Sequence, residues 1–241
     1  MKFFVLPLIL LTIFLAACAP PAPSPTPIPT STLMPTSKPI RFLALGDSYT
    51  IGESVSPAER WPLQLADLVA SAQGKDVEVE IIARTGWTTQ DLWRGIQEKN
   101  PQGPYDLVSL LIGVNNEYRG GSIEDYREDF RFLLGKAIEY AGNDVRRVIV
   151  LSIPDWGMTP FAQHDARPTS QISAEIDAFN AINKDEAQKA GARYVDVTPS
   201  SREAPDNPAL IASDGLHPSG KMYAIWAGLA LPEALAIFEM K

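Results

Sequence analysis

Three residue types that can do acyl chemistry stand at loop positions in this chain. Gly46-Asp47-Ser48 closes an apolar run, Phe42-Leu43-Ala44-Leu45, and puts a hydroxyl directly after it. Ser48 is either a nucleophile or a turn and helix N-cap residue, since Ser and Asp suit both roles. A serine nucleophile needs a base within hydrogen-bond reach, most often a histidine. The chain has 2 histidines. His164 sits in the polar run Gln163-His164-Asp165-Ala166-Arg167-Pro168 and reads as solvated surface. His217 precedes Pro218, and Asp214 stands three residues earlier, close enough for a turn to bring its carboxylate to the imidazole. Such a contact orients the ring and stabilises the imidazolium. The competing reading makes Asp214 a helix-cap or Asx-turn residue and His217 a capping residue. An oxyanion needs donors, and the backbone N–H groups of Ser48 and Gly86 with the Asn115 side-chain amide could supply them. Otherwise Gly86 is a turn glycine and Asn115 caps a strand end.

These residues must be positioned by a scaffold, and the hydropathy pattern indicates which. Strand-like apolar runs fall at 41–45, 77–83, 107–112, 145–153 and 192–197. Helical periodicity separates them at 61–72, 89–99, 123–141 and 172–189, and a last helix opens with Pro218 as its first residue and runs to about 238. Ser122-Ile123-Glu124-Asp125 reads as a capping box. Alternating strands and helices predict an α/β fold, a three-layer α/β/α sandwich around a five-stranded parallel sheet. The connection rules favour the flavodoxin-like order 2-1-3-4-5. In such a sheet the loops carrying Ser48, Gly86 and Asn115 share the C-terminal edge, and the last helix must bring Asp214 and His217 to it. Trp87, Trp93, Trp156 and Tyr118 could line a cleft there, with 161–170 as a mobile polar rim.

With these loops in hand, the chain resembles the SGNH/GDSL hydrolase superfamily over roughly residues 41–231. Ser48 in Gly-Asp-Ser, Gly86, Asn115 in Gly-Val-Asn, and Asp214 with His217 in Asp-Gly-Leu-His-Pro match its four blocks in order. Tyr49 stands where the motif name has Leu, and Asn116 where Asp is frequent; neither carries the chemistry. No Gly-x-Ser-x-Gly elbow surrounds Ser48, which argues against the α/β-hydrolase fold. The resemblance implies a serine esterase that hydrolyses O-acyl esters of small molecules, glycans or lipids through an acyl-enzyme on Ser48. His217 would be the base, Asp214 its orienting acid, and Ser48, Gly86 and Asn115 the oxyanion hole. No metal and no cofactor is required. An acyltransferase using the same site and a non-catalytic surface-binding module are the other readings.

The front of the chain addresses location. Residues 1–17 read as an export signal, with Lys2 the only charge before an apolar run too short for a comfortable membrane span. Leu15-Ala16-Ala17-Cys18 is similar to the lipobox of bacterial lipoproteins, so Cys18 is the expected lipidation site. It is the 1 cysteine in the chain, which excludes disulfides and thiol metal clusters from the folded part. Residues 18–39 form a Pro-rich linker, and 40–241 the hydrolase domain. The expected layout is anchor, stalk and domain, extracytoplasmic and lipid-anchored to a bacterial membrane surface. The net charge of −8 makes nucleic acid a poor partner. Oligomeric state is not legible.

Overall fold

The computed structural model describes residues 38–239. The signal segment, Cys18 and nearly all of the linker lie outside the described residues. Five parallel strands form one sheet: β1 (Ile40–Gly46), β2 (Val77–Ala83), β3 (Leu107–Leu111), β4 (Val148–Leu151) and β5 (Arg193–Val195). Their order is β2-β1-β3-β4-β5, as expected from the alternating pattern. β3 and β4 are buried at every position, which is why they read as apolar runs, interrupted only by Ser109 in β3.

The longer helices cover both faces. On one face α2 (Trp61–Gln73) packs on α8 (Gly220–Glu239). On the other lie α3 (Thr89–Lys99), α5 (Ile123–Tyr140) and α6 (Thr169–Ala190), with α5 against both of its neighbours. Three short helices, α1 (Ser48–Ile51), α4 (Val114–Tyr118) and α7 (Thr198–Ser201), follow β1, β3 and β5. α8 is long and apolar enough to cross a membrane by length and composition. In this fold it turns Met222, Tyr223, Trp226, Ala227, Ala230 and Ala234 into the core.

Several boundaries differ from the sequence reading. β4 starts at Val148 because Asp144 caps a 3₁₀ turn over Val145–Arg147. Pro218 does not open the last helix. It pairs with Ile211 in an antiparallel bridge, and α8 begins at Gly220. The flanking hydrogen bonds, Ala212 N–H to His217 O and Ser219 N–H to Leu210 O, both 2.8 Å, hold 217–219 extended. Ser122 caps α5 by accepting from Asp125 N–H, but Asp125 does not reciprocate as a capping box would.

The site sits where chain direction across the sheet reverses. β1 is followed by its neighbour β2 on one side, and the chain then returns to β3 on the other. That reversal opens a crevice above the C-terminal ends of β1 and β3.

Candidate active site

Gly46 ends β1 because nothing larger fits: a Cβ there would collide with the Thr50 side chain and with Leu111 O. This close approach turns the chain sharply into α1. Asp47 is the N-cap, its Oδ1 accepting from Tyr49 N–H at 3.0 Å. Ser48 is therefore the first helical residue, not the cap. An N–H at this position has no acceptor within the helix and is available to a ligand. Asp47 is completely buried and its Oδ2 has no partner. Burial raises its pKa to about 7, against the hydrogen bond from Tyr49 N–H.

Gly86 follows β2 at φ +83°, in a turn closed by Trp87 N–H to Arg84 O at 3.2 Å. An L side chain rarely adopts that backbone conformation. Asn115 lies on α4, after β3. Its Nδ2 donates to Trp87 O at 3.0 Å, which fixes the amide orientation and leaves its second N–H free. Arg119 donates to Gly86 O at 2.6 Å. Two hydrogen bonds thus lock the Gly86 loop to α4. Asn116 joins α4 to the start of α3, accepting from Thr89 N–H at 3.0 Å and donating to Thr89 Oγ1 at 2.8 Å.

The loop before α8 supplies the imidazole. His217 is 7% exposed, and its Nδ1 lies 2.6 Å from Asp214 Oδ2. The other carboxylate oxygen, Oδ1, accepts from Leu216 N–H at 2.9 Å and His217 N–H at 3.0 Å. Partial burial works against the Asp214 charge. Hydrogen bonds from Ser54, Leu216 and His217 outweigh it and hold the carboxyl well below its usual range. Tyr49 meets the His217 ring edge-on, with centroids 5.6 Å apart.

Ser48, Gly86, Asn115 and His217 line one cleft of about 150 Å³. Asp214 reaches it through His217. The arrangement can activate a hydroxyl, orient the base from behind and present N–H donors to a developing oxyanion. His164 is exposed and lies outside it. Among the described residues no group of three or more His, Cys, Asp and Glu is placed to hold a metal ion.

The aromatic wall differs from expectation. Tyr118, Trp156 and Phe161 line the cleft, with Val114 and Leu216. Trp87 lies over Gly95, where a Cβ would run into its ring, and Trp93 packs edge-on against Phe132 with centroids 4.9 Å apart. Of the segment 161–170, Phe161 belongs to the cleft wall, and most of 163–170 is exposed and polar, as a rim would be. Phe161 N–H donates to Gly215 O at 3.0 Å. Arg167 pairs with Asp165, Glu117 and Glu175. Glu117, 2% exposed, accepts from Trp156 Nε1 at 2.7 Å. Burial, with Glu175 adding to it, raises the Glu117 pKa to about 7 against the hydrogen bonds from Trp156 and Arg167. Glu117, Phe161 and Ser54 do not stand out in the sequence. Glu117, two residues after Asn115, has the one usable signal: a carboxylate on a helix that the oxyanion reading already places at the site.

Residues 44–225 match the GDSL-like Lipase/Acylhydrolase family. Solved structures share the fold. One is the lipase/acylhydrolase from Enterococcus faecalis (21% identity, 80% of this chain and 94% of that one, TM-score 0.60). Another is the psychrotrophic esterase EstA from Pseudoalteromonas sp., in a structure inhibited by monoethylphosphonate (16% identity, 83% and 96%, TM-score 0.60). A third is a mutant of Axe2, an acetyl-xylooligosaccharide esterase from Geobacillus stearothermophilus (19% identity, 83% and 96%, TM-score 0.62). Among curated proteins no sequence matches the chain.

Proposed function

The chain belongs to the GDSL-like lipase/acylhydrolase family, and from that premise we propose that it is a serine esterase acting on short O-acyl esters. The carrying observation is the convergence of Ser48, Gly86, Asn115 and the Asp214–His217 pair on one cleft. Ser48 Oγ attacks the ester carbonyl carbon while His217 takes its proton. The oxyanion accepts hydrogen bonds from Ser48 N–H, Gly86 N–H and Asn115 Nδ2. Collapse of the tetrahedral intermediate breaks the ester C–O bond, and His217 returns the proton to the departing alcohol. Water, deprotonated by His217, then attacks the acyl-enzyme and releases the acid, restoring Ser48. Asp214 stays ionised throughout and holds the imidazole.

Cleft size supports a short acyl group. The cleft is open to solvent on one side, and the space of about 150 Å³ between its walls matches a group of about six carbons, the size of benzene. Its walls are mostly apolar, as an acyl chain requires. Hydrolysis of p-nitrophenyl acetate by the full chain tests the reading: Ser48→Ala should abolish it, and an unchanged rate would refute it.

Placement outside the cytoplasm rests on Leu15-Ala16-Ala17-Cys18 and the Pro-rich segment after it. Lipid on Cys18 would hold the esterase at a membrane surface. Cys18→Ala should move the protein from the membrane fraction to the soluble one.

A further inference from the structure

The turn after α1 joins three of the four segments that build the site. Gly52, at φ +70°, and Glu53 both donate their N–H groups to Ser48 O at 3.0 Å. The Glu53 carboxylate accepts from Thr85 Oγ1, beside Gly86. The next residue, Ser54, donates its hydroxyl to Asp214 Oδ2 at 2.6 Å. That oxygen is the one facing His217 Nδ1. One short stretch of chain therefore touches the candidate nucleophile, the oxyanion loop and the acid–base loop. Asp214 Oδ2 receives a second donor from a residue 160 positions away.

Ser54 makes this contact from an unfavourable backbone. Its φ is +65°, a left-handed conformation that costs a side-chain-bearing residue and persists where the surroundings enforce it. Glycine would adopt it freely. A hydroxyl held there, on an exposed turn, gains no burial in return. What it gains is the hydrogen bond to Asp214.

We propose that Ser54 is a positioning residue for the Asp214–His217 pair. This rests on the esterase reading above. The hydroxyl fixes the rotation of the carboxylate, so that Oδ2 stays in line with His217 Nδ1 while Oδ1 is held by two backbone N–H groups. Without it the carboxylate keeps its two backbone donors and loses the brace on the side that faces the imidazole. Ser54 does not line the cleft, so substrate binding should be spared.

Ser54→Ala and Ser54→Gly in the full chain separate the hydroxyl from the backbone. Both remove the oxygen, but glycine also relieves the left-handed strain. On p-nitrophenyl acetate both should lower kcat by a similar factor, about ten- to 150-fold, as expected for a lost hydrogen bond to a charged group. KM should stay within about two-fold, since binding energy common to ground and transition states is untouched. Phosphonylation of Ser48 by a fluorophosphonate should slow by a comparable factor. Ser54→Gly should melt no lower than the wild type, which excludes unfolding as the cause. If Ser48→Ala abolishes hydrolysis while either Ser54 variant keeps wild-type kcat, the positioning role is overturned and the esterase reading stands. If Ser48→Ala hydrolyses like the wild type, both fall together, because Ser54 has no such reaction to serve.

Discussion

The Nδ1 atom of His217 lies 2.6 Å from Oδ2 of Asp214, and the same carboxylate closes the turn over Leu216 and His217 with its other oxygen. Asp214 therefore shapes the loop and orients the ring at once. Asp214→Asn separates the two tasks. The Asn carbonyl can still accept from the two backbone N–H groups, so the loop is retained. Its NH₂ group faces Nδ1 and selects the wrong tautomer, leaving Nε2 protonated. The expected result is a fall in kcat of about 10²- to 10⁴-fold with KM little changed, measured on p-nitrophenyl acetate. Because the carboxyl is held well below its usual range, it should stay charged across the assay window.

Asn115 tests the oxyanion hole. Its amide is oriented by Trp87 O, and one N–H is left for substrate. Asn115→Ala should lower kcat by about 10²- to 10³-fold. KM should change far less, because the donor acts on charge that develops only in the transition state. A loss confined to KM would remove Asn115 from the oxyanion hole.

Asp47 gives a stability prediction with a definite sign. Its folded-state pKa is raised to about 7, while an unfolded aspartate ionises near 4. Between those values the folded chain holds a proton that the unfolded chain has lost. Asp47 thus contributes stability that is full below about pH 4 and is lost as pH rises through about 7. Asp47→Asn keeps the acceptor for Tyr49 N–H and removes the proton linkage. Thermal melts from pH 4 to pH 8 should show the variant gaining on the wild type by several degrees across that window. A difference that stays constant with pH would contradict the assignment. The similarly raised Glu117 is present in both proteins and cancels.

Glu117 and Arg167 bear on chain length. Together they hold Trp156, which forms one wall of the cleft with Tyr118 and Phe161. The Arg167 guanidinium also lies 5.3 Å from the Trp156 ring centroid. In a series of p-nitrophenyl esters from C2 to C12, kcat/KM should be highest up to about C6 and fall beyond it. Glu117→Gln turns an amide toward Arg167 and loosens the wall. It should raise KM for C4 several-fold and flatten the length preference, with kcat within about two-fold. A peak at C10 or C12 in the wild type would overturn the short-acyl reading.

The sequence carried most of the scaffold and the four blocks, for identifiable reasons. β3 and β4 are buried on both faces, so their apolar runs stand out. Gly46, Gly86 and the Asp214–His217 spacing are local features, legible within a few residues. What was not legible is long-range. Ser54 and Asp214 are 160 residues apart, and Glu117 meets Arg167 across 50. No periodicity links such pairs. Pro218 misled because a proline suits both the first turn of a helix and a strand-edge bridge, and contacts with 210–212 decide between them. Trp87 and Trp93 misled because composition does not say which way a side chain points; Gly95 and Phe132 take them into packing.

The most direct measurement is covalent labelling of the full chain with a fluorophosphonate, followed by peptide mass spectrometry. The expected result is one adduct per chain on Ser48, formed in step with loss of ester hydrolysis, absent in Ser48→Ala and strongly slowed in His217→Ala. Ester hydrolysis that persists with Ser48 unlabelled, or an adduct on another residue that accounts for the inhibition, would contradict the nucleophile assignment.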